Sequence, residues 1–87
     1  MRPTLVVFHM EGCKACEALM PSLGLLRGVD VLRVQRGHPF EREVSQVWDV
    51  PRSEWYPEML LAVSRGVFRH RGDRSPQELQ RWIDARR

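Results

Sequence analysis

The 87-residue sequence lacks long apolar runs and has only two cysteines. Its first apolar run, Leu5-Val6-Val7-Phe8, is far too short for the apolar core of a signal peptide or for a membrane span. No targeting segment is recognisable, and we therefore expect a cytoplasmic protein without a membrane partner. In that compartment, two cysteines close together in sequence are more often catalytic or metal-binding than structural.

The sequence also lacks internal repeats, low-complexity stretches and a linker, so we expect a single domain over residues 1–87. The apolar fraction of 43% is near that of ordinary globular proteins, so a packed core requires neither metals nor several disulfides. The net charge is +3, and the basic residues are spread along the chain rather than grouped in blocks. We expect a monomer.

Arginines near Phe68 offer one candidate nucleic-acid surface. They are Arg65, Arg69, Arg71 and Arg74. A nucleic-acid surface of this kind should carry a larger net charge and a stacking platform. Charges on an edge strand also prevent sheets from associating edge to edge. We therefore favour a solvated edge strand and expect no nucleic-acid partner.

The first part of the chain predicts a buried strand followed by a helix. Leu5-Val6-Val7-Phe8 is typical of a strand buried on both faces. Apolar residues between positions 13 and 27 share one face of a helix that Pro21 should kink and Gly28 should end. That face comprises Cys16, Leu19, Met20, Leu23 and Leu26.

The remaining elements follow from similar patterns. Residues 29–34 predict a second strand, parallel to the first because a helix joins the two. A short helix opened by Pro39 is indicated by Phe40, Val44, Val47 and Trp48. Residues 59–63 and 67–70 flank the turn Ser64-Arg65-Gly66 and predict an antiparallel hairpin. Ser75-Pro76-Gln77-Glu78 is a capping box that opens a last helix. That helix should bury Leu79, Trp82 and Ile83.

The predicted order is therefore β-α-β-α-β-β-α. The first strand should lie at the centre of a four-stranded mixed sheet, between the second strand and the hairpin. Helices then cover both faces, which makes the chain a single α/β domain.

Cys13 and Cys16 lie where the first strand gives way to the first helix. Unpaired N–H groups at the beginning of a helix, together with the helix dipole, favour the Cys13 thiolate, which is the attacking species. Lys14, the only lysine in the chain, either adds to this stabilisation or is simply a solvated helix residue. Cys16 lies one turn further along, on the apolar face, which suits a cysteine that resolves a mixed disulfide.

Two other interpretations of the cysteine pair stay open. As a zinc site, the pair would supply half of a tetrahedral shell, and we expect no metal because the histidines show no paired ligand spacing. These are His9, His38 and His70. As inert core residues, Cys16 would fit but Cys13 would not, because Gly12 and Lys14 flank it.

The sequence resembles the thioredoxin–glutaredoxin superfamily over nearly its whole length. The likeness rests on Cys13-Lys14-Ala15-Cys16, on Pro21 five residues after the second cysteine, and on Pro57 just before the third strand. It implies the thioredoxin fold and a cis-proline at Pro57 that faces the dithiol. A cis bond would turn the Tyr56 backbone outward beside the sulfurs, where an extended substrate peptide could pair with it. The alternative is a trans Pro57 that merely begins a strand.

Several positions depart from the two families. Thioredoxins usually have an aromatic residue where this chain has Gly12, and a buried aspartate where it has Val7. The glutathione site of glutaredoxins is incomplete here, because the matching stretches are Trp55-Tyr56-Pro57 and Arg71-Gly72-Asp73-Arg74. Arg52-Ser53-Glu54-Trp55 resembles a short insertion at the rim of the dithiol groove. Trp55 of this insertion, or the adjacent Tyr56, could give partners an apolar contact. The alternative is a solvated loop whose aromatic side chains pack locally.

The resemblance implies a protein disulfide oxidoreductase that takes part in electron transport and cell redox homeostasis. Cys13 and Cys16 are its implied catalytic residues, Trp55, Tyr56 and Pro57 its substrate-binding residues. Gly12, Lys14 and Pro21 are implied to tune the pair. No cofactor is expected beyond a redox-active Cys13–Cys16 disulfide, and the partners are protein disulfides with a reductase or glutathione as electron donor. The alternative is a redox-inactive or metal-binding thioredoxin-fold module that binds a partner.

Overall fold

A computed structural model describes residues 2–47 and 55–87, which contain a four-stranded sheet and three helices. In chain order, the elements are β1 (Thr4–His9), α1 (Lys14–Leu23), β2 (Asp30–Gln35), α2 (Phe40–Val47), β3 (Glu58–Val63), β4 (Gly66–Arg69) and α3 (Pro76–Arg86). The predicted order β-α-β-α-β-β-α is confirmed. Within the described residues, no helix is long and apolar enough to cross a membrane. Trp48, predicted to lie in the second helix, falls outside the described residues.

The strands are arranged in the order β2-β1-β3-β4. β1 pairs in parallel with β2 and antiparallel with β3, and β3 pairs antiparallel with β4. This confirms the central first strand, the parallel pair and the hairpin. β1 lies between β2 and β3, and helices cover both faces of the sheet. Its four middle residues are therefore buried, which explains why all four are apolar.

Helices cover both faces of the sheet, as predicted. On one face, α1 and α3 pack over a cluster of Leu5, Val7, Leu19, Leu23, Val29, Met59, Leu61, Leu79 and Ile83. On the other face, Val44 of α2 joins a cluster with Val6, Phe8, Val34 and Leu60. Alternate residues of β1 supply the two clusters because side chains alternate across a strand.

Helix α1 ends earlier than predicted. Its last residue is Leu23 and its C-cap is Gly24, so the prediction that the helix ends at Gly28 was wrong. The N–H groups of Leu25 and Leu26 instead bond to carbonyls three residues back, which tightens the chain beyond the helix. Leu26 still packs against the core from this turn, so the apolar periodicity extends beyond the helix itself.

The capping box of α3 is only half formed. The Ser75 hydroxyl accepts a hydrogen bond from the N–H of Glu78 at 3.3 Å, as predicted. The N–H of Ser75 does not bond to Glu78 in return; it donates to the carboxylate of Asp73 at 2.8 Å. Leu79 and Ile83 are buried, as predicted. The prediction for Trp82 was wrong in degree, because its ring is only half-buried against the core.

Strand β4 forms one edge of the sheet and contains Arg69, whereas the other three predicted arginines lie just before or after it. Arg69 forms an ion pair with Glu58, and the Arg65 guanidinium donates to the carbonyl of Arg86 at 2.7 Å. Two of the four arginines are therefore engaged within the chain, which agrees with the solvated-edge interpretation. The expectation that no nucleic acid binds stays a prediction.

Candidate functional site

Cys13 is the N-cap residue of α1. Its backbone is extended, with φ −88° and ψ 106°, and its carbonyl accepts the helical hydrogen bond from Glu17 at 3.0 Å. The N–H of Cys16 donates to the Cys13 sulfur, with 3.1 Å between nitrogen and Sγ. The sulfur thus takes the place that a serine or aspartate oxygen occupies in an ordinary N-cap.

Cys13 and Cys16 are joined in a disulfide, with 5.2 Å between their Cα atoms. Cys13 is half-buried, whereas Cys16 is only 2% exposed and shares the buried face of α1 with Leu19 and Leu23. The helix therefore presents one sulfur towards the surface and holds the other inside. This agrees with the difference in exposure predicted from the helical spacing.

The Tyr56–Pro57 segment lies beside the disulfide. The peptide bond between the two residues is cis, as predicted, and Pro57 is buried. The carbonyl oxygen of Tyr56 lies 3.9 Å from the Cys13 sulfur. The structure therefore brings together four predicted site residues, although Cys13 and Tyr56 are 43 positions apart in sequence. The other two are Cys16 and Pro57.

Tyr56 also contacts two residues that sequence reasoning missed. The Arg36 guanidinium lies over the Tyr56 ring, 5.6 Å from its centroid. The Tyr56 hydroxyl donates to a carboxylate oxygen of Glu41 at 3.5 Å, at the long limit of a hydrogen bond. These contacts link the Tyr56 side chain to the residue that follows β2 and to the first turn of α2.

One signal could have found Arg36. The carboxyl ends of neighbouring parallel strands meet at the same edge of a sheet, so residues that follow β1 and β2 should lie close together. The N–H of Arg36 indeed donates to the carbonyl of His9 at 2.7 Å. The contact with Glu41 had no comparable signal in the sequence, because it depends on how α2 is placed relative to Tyr56.

The three residues predicted to tune the pair lie in different places. Gly12 immediately precedes the disulfide and has φ +78°, a conformation that favours glycine. Lys14 is the first residue of α1 and is exposed. Pro21 lies inside α1 in its last turn and is exposed. Their influence on the pair stays a prediction.

Trp55 is the last of the predicted site residues, and Val7 is the position at which thioredoxins have a buried aspartate. Trp55 is 79% exposed and directly precedes Tyr56, whereas residues 52–54 of the predicted insertion lie outside the described residues. Val7 is fully buried in the cluster beneath α1 and α3. Among the described residues, no polar or charged side chain is buried, so this core holds no carboxylate.

A cleft of about 480 Å³ opens beside the disulfide, between the β1–α1 loop, α1 and the end of β2. His9 and Cys16 are among the residues that line it. Sequence reasoning missed this cleft because it depends on the relative placement of three separate segments.

A metal centre finds no support in the parts of the chain that the structure describes. Within residues 2–47 and 55–87, no group of three or more histidine, cysteine or acidic side chains is placed to hold a metal ion. The expectation that the protein needs no metal stays a prediction.

Comparison with solved structures finds thioredoxin-like proteins. The chain matches the J-Trx1 fragment of ERdj5 with a TM-score of 0.66 and 22% identity, over 97% of this chain and 41% of that one. It matches the zinc-bound form of human ERp44 with a TM-score of 0.70 and 20% identity, over 97% of this chain and 26% of that one. An uncharacterized thioredoxin-like protein from Clostridium perfringens matches with a TM-score of 0.71 and 11% identity, over 95% of this chain and 69% of that one.

These likenesses extend to the fold alone, because each identity is 22% or lower. The chain spans about two fifths of the ERdj5 fragment and about a quarter of ERp44. No protein-family model and no curated protein matches the sequence. Chemically, a CxxC disulfide with one accessible sulfur is suited to thiol–disulfide exchange. The order of strands, the cis-proline beside the cysteines and the structural matches together show that this chain has the thioredoxin fold.

Proposed function

We propose that this chain is a protein thiol–disulfide oxidoreductase that reduces protein disulfides with Cys13 and Cys16. One observation carries the proposal: the sulfur of Cys13, a half-buried residue, caps α1 and lies 3.9 Å from the Tyr56 carbonyl oxygen. An inert structural disulfide needs neither an accessible sulfur nor an adjacent backbone acceptor. Both features serve a sulfur that must meet a peptide substrate.

The reduced protein begins the reaction with the Cys13 thiolate. The N–H of Cys16, which donates to Sγ at 3.1 Å, and the positive end of the α1 dipole stabilise that negative charge. The thiolate attacks one sulfur of the substrate disulfide. A bond forms between Cys13 and that sulfur, the substrate S–S bond breaks, and the other substrate sulfur leaves as a thiolate.

Cys16 completes the exchange. After it loses its proton, its thiolate attacks the Cys13 sulfur, the Cys13–Cys16 bond forms, and the bond to the substrate breaks. Counted from two thiols, and so including the proton that Cys13 releases when its thiolate forms, the cysteine pair has lost two electrons and two protons and the substrate has gained the same number. A reductase or glutathione returns two electrons and two protons to the pair for the next cycle.

The Tyr56 carbonyl supplies the binding contact for the substrate backbone. An extended peptide that places its cysteine on Cys13 can donate an N–H to this carbonyl and lie beside Pro57 as an added strand. Trp55, which is 79% exposed, supplies an apolar surface next to that peptide. These assignments explain why the cysteines and the segment before β3 lie together.

Two cysteine variants test the proposal. Cys16→Ser should accumulate a covalent mixed disulfide between Cys13 and a substrate protein, visible by non-reducing electrophoresis and mass spectrometry. Cys13→Ser should form no such adduct and should lose insulin reduction, while circular dichroism shows an unchanged fold. If Cys13→Ser reduced insulin at the wild-type rate, Cys13 would not be the nucleophile and the proposal would be wrong.

A second assay identifies the electron donor. Insulin reduction is measured with thioredoxin reductase and NADPH, and separately with glutathione, glutathione reductase and NADPH. Turnover only with glutathione assigns a glutaredoxin-like role, and turnover only with the first donor assigns a thioredoxin-like role. Failure with both, in a protein whose disulfide is also inert to dithiothreitol, would favour the module that only binds a partner. The cytoplasmic location and the monomeric state stay predictions.

A further inference from the structure

The cleft beside the disulfide has an apolar and a charged part. Cys16 and Met20, both on α1, line it together with Met10 from the β1–α1 loop. Methionine side chains are flexible and polarizable, so they adapt to ligands of different shape. The cleft therefore has an apolar wall that includes the second cysteine of the pair.

Two carboxylates lie at the rim of the same cleft. Glu11 and Glu17 line it from opposite sides of the cysteine motif, and both are exposed. Neither belongs to any of the ion pairs formed within residues 2–47 and 55–87. Lys14 lies between them in sequence but does not line the cleft. In a chain of net charge +3, this rim is therefore a locally acidic surface.

Gly12, which immediately precedes Cys13 in sequence, presents no side chain to the cleft. It lines the cleft, and a Cβ atom built on it would meet no other atom within 4 Å. An aromatic side chain at this position, as in the thioredoxins that the sequence resembles, would extend into this open space. Here a side chain of the substrate can enter it instead.

We propose that this cleft receives a lysine or arginine side chain next to the reactive cysteine of the substrate. The proposal rests on the proposed disulfide exchange and names the class of substrate that it favours. The aliphatic stem of a basic residue packs along Met10 and Met20, and its charged end reaches Glu11 and Glu17. The substrate class is therefore a disulfide in a basic segment of a protein.

Peptide disulfides that differ in one residue test this proposal. Three short peptides carry arginine, glutamine or glutamate on both sides of a cysteine that is disulfide-bonded to a chromogenic thiol. The reduced protein attacks each peptide, and stopped-flow absorbance gives the second-order rate constants. At low salt, the arginine peptide should react roughly three- to tenfold faster than the glutamine peptide, as expected for one or two exposed ion pairs. The advantage should shrink at 1 M salt.

Charge-neutral variants identify the residues responsible. The double variant Glu11→Gln and Glu17→Gln should react equally fast with the arginine and glutamine peptides. Glu43→Gln is the matched control: it removes one exposed carboxylate from α2, outside the cleft, and should keep the preference. Circular dichroism checks that every variant is folded.

The outcomes separate this proposal from the proposed function. Equal rate constants for all three peptides in the wild type, or a preference that survives in the double variant, would overturn the proposal while leaving disulfide exchange intact. If the wild type attacked none of the peptides and also failed to reduce insulin, both the exchange reaction and the basic-residue preference would be wrong.

Discussion

Replacement of Val7 by aspartate tests how the core beneath the disulfide is built. Val7 is fully buried, pairs with Arg33 in β2 and Met59 in β3, and belongs to an apolar cluster. In the thioredoxins that this sequence resembles, a buried aspartate occupies the matching position. Here the described residues contain no buried polar side chain that would bond to a carboxyl group at this position.

The expected loss of stability has two parts. Removing the buried valine costs about 1.5–3 kcal/mol of apolar burial. Burying a neutral carboxyl without a partner costs about 1–3 kcal/mol more. The sum, about 2.5–6 kcal/mol, is a large part of the roughly 4–13 kcal/mol expected for a domain of this length. Val7→Ala is the control, because it removes apolar volume without adding a polar group.

The loss should also depend on pH. Burial raises the pKa of the new carboxyl in the folded state above its ordinary value, because the charged form loses its hydration. The unfolded state keeps the ordinary pKa. Between that value and the raised pKa of the folded state, the folded state binds more protons, so the free energy of unfolding falls as pH rises. Below the ordinary value, both states are protonated and only the cost of the neutral carboxyl is left. The slope reaches about 1.4 kcal/mol per pH unit within that window.

Urea unfolding of the wild type, Val7→Ala and Val7→Asp at pH 5 and pH 8 measures these differences. Val7→Asp should be less stable than Val7→Ala at both values, and the gap should be larger at pH 8. An aspartate variant as stable as the alanine variant, or a gap that is the same at both values, would refute the reasoning. The carboxyl would then have found a partner or water that the apolar cluster does not show.

Substitutions at two further positions test local structure. Ser75→Ala removes the hydroxyl that accepts from the Glu78 N–H and should lower the free energy of unfolding by about 1 kcal/mol, and Tm by about 4–8 °C. Ser75→Asp should retain most of that stability, and an unchanged Tm in Ser75→Ala would mean that the cap contributes nothing. Gly12→Ala should cost about 1–2 kcal/mol because φ is +78°, although its Cβ has ample space. Gly12→Asn should lose less, and equal losses for both variants would contradict a conformational cause.

The architecture was predictable because each element carries its own local signal. The continuous apolar residues of β1 mark a strand covered on both faces, which places it at the centre of the sheet. The turn around Arg65 joins β3 to β4, and Pro76 after Ser75 marks the beginning of α3. These signals act over a few residues, so they can be recognised without knowing the tertiary structure.

Details that depend on tertiary structure were not predictable in the same way. Apolar periodicity extends to Leu26 although α1 ends at Leu23, since a turn can also direct a side chain into the core. The contacts of Tyr56 with Arg36 and Glu41 join segments far apart in sequence. Local sequence patterns do not show which distant segments come into contact. The cleft beside Cys16 was missed for the same reason.

The helical phase of the motif explains why the two cysteines are not interchangeable. Cys13 caps α1, so its sulfur stays at the surface and receives the Cys16 N–H. Cys16, three residues later, falls on the face that continues through Leu19 and Leu23 into the core. In the proposed exchange, the substrate disulfide therefore reacts with Cys13 rather than with Cys16. The spacing of the two cysteines thus determines their difference in burial, and the proposed division into an attacking and a resolving cysteine rests on that difference.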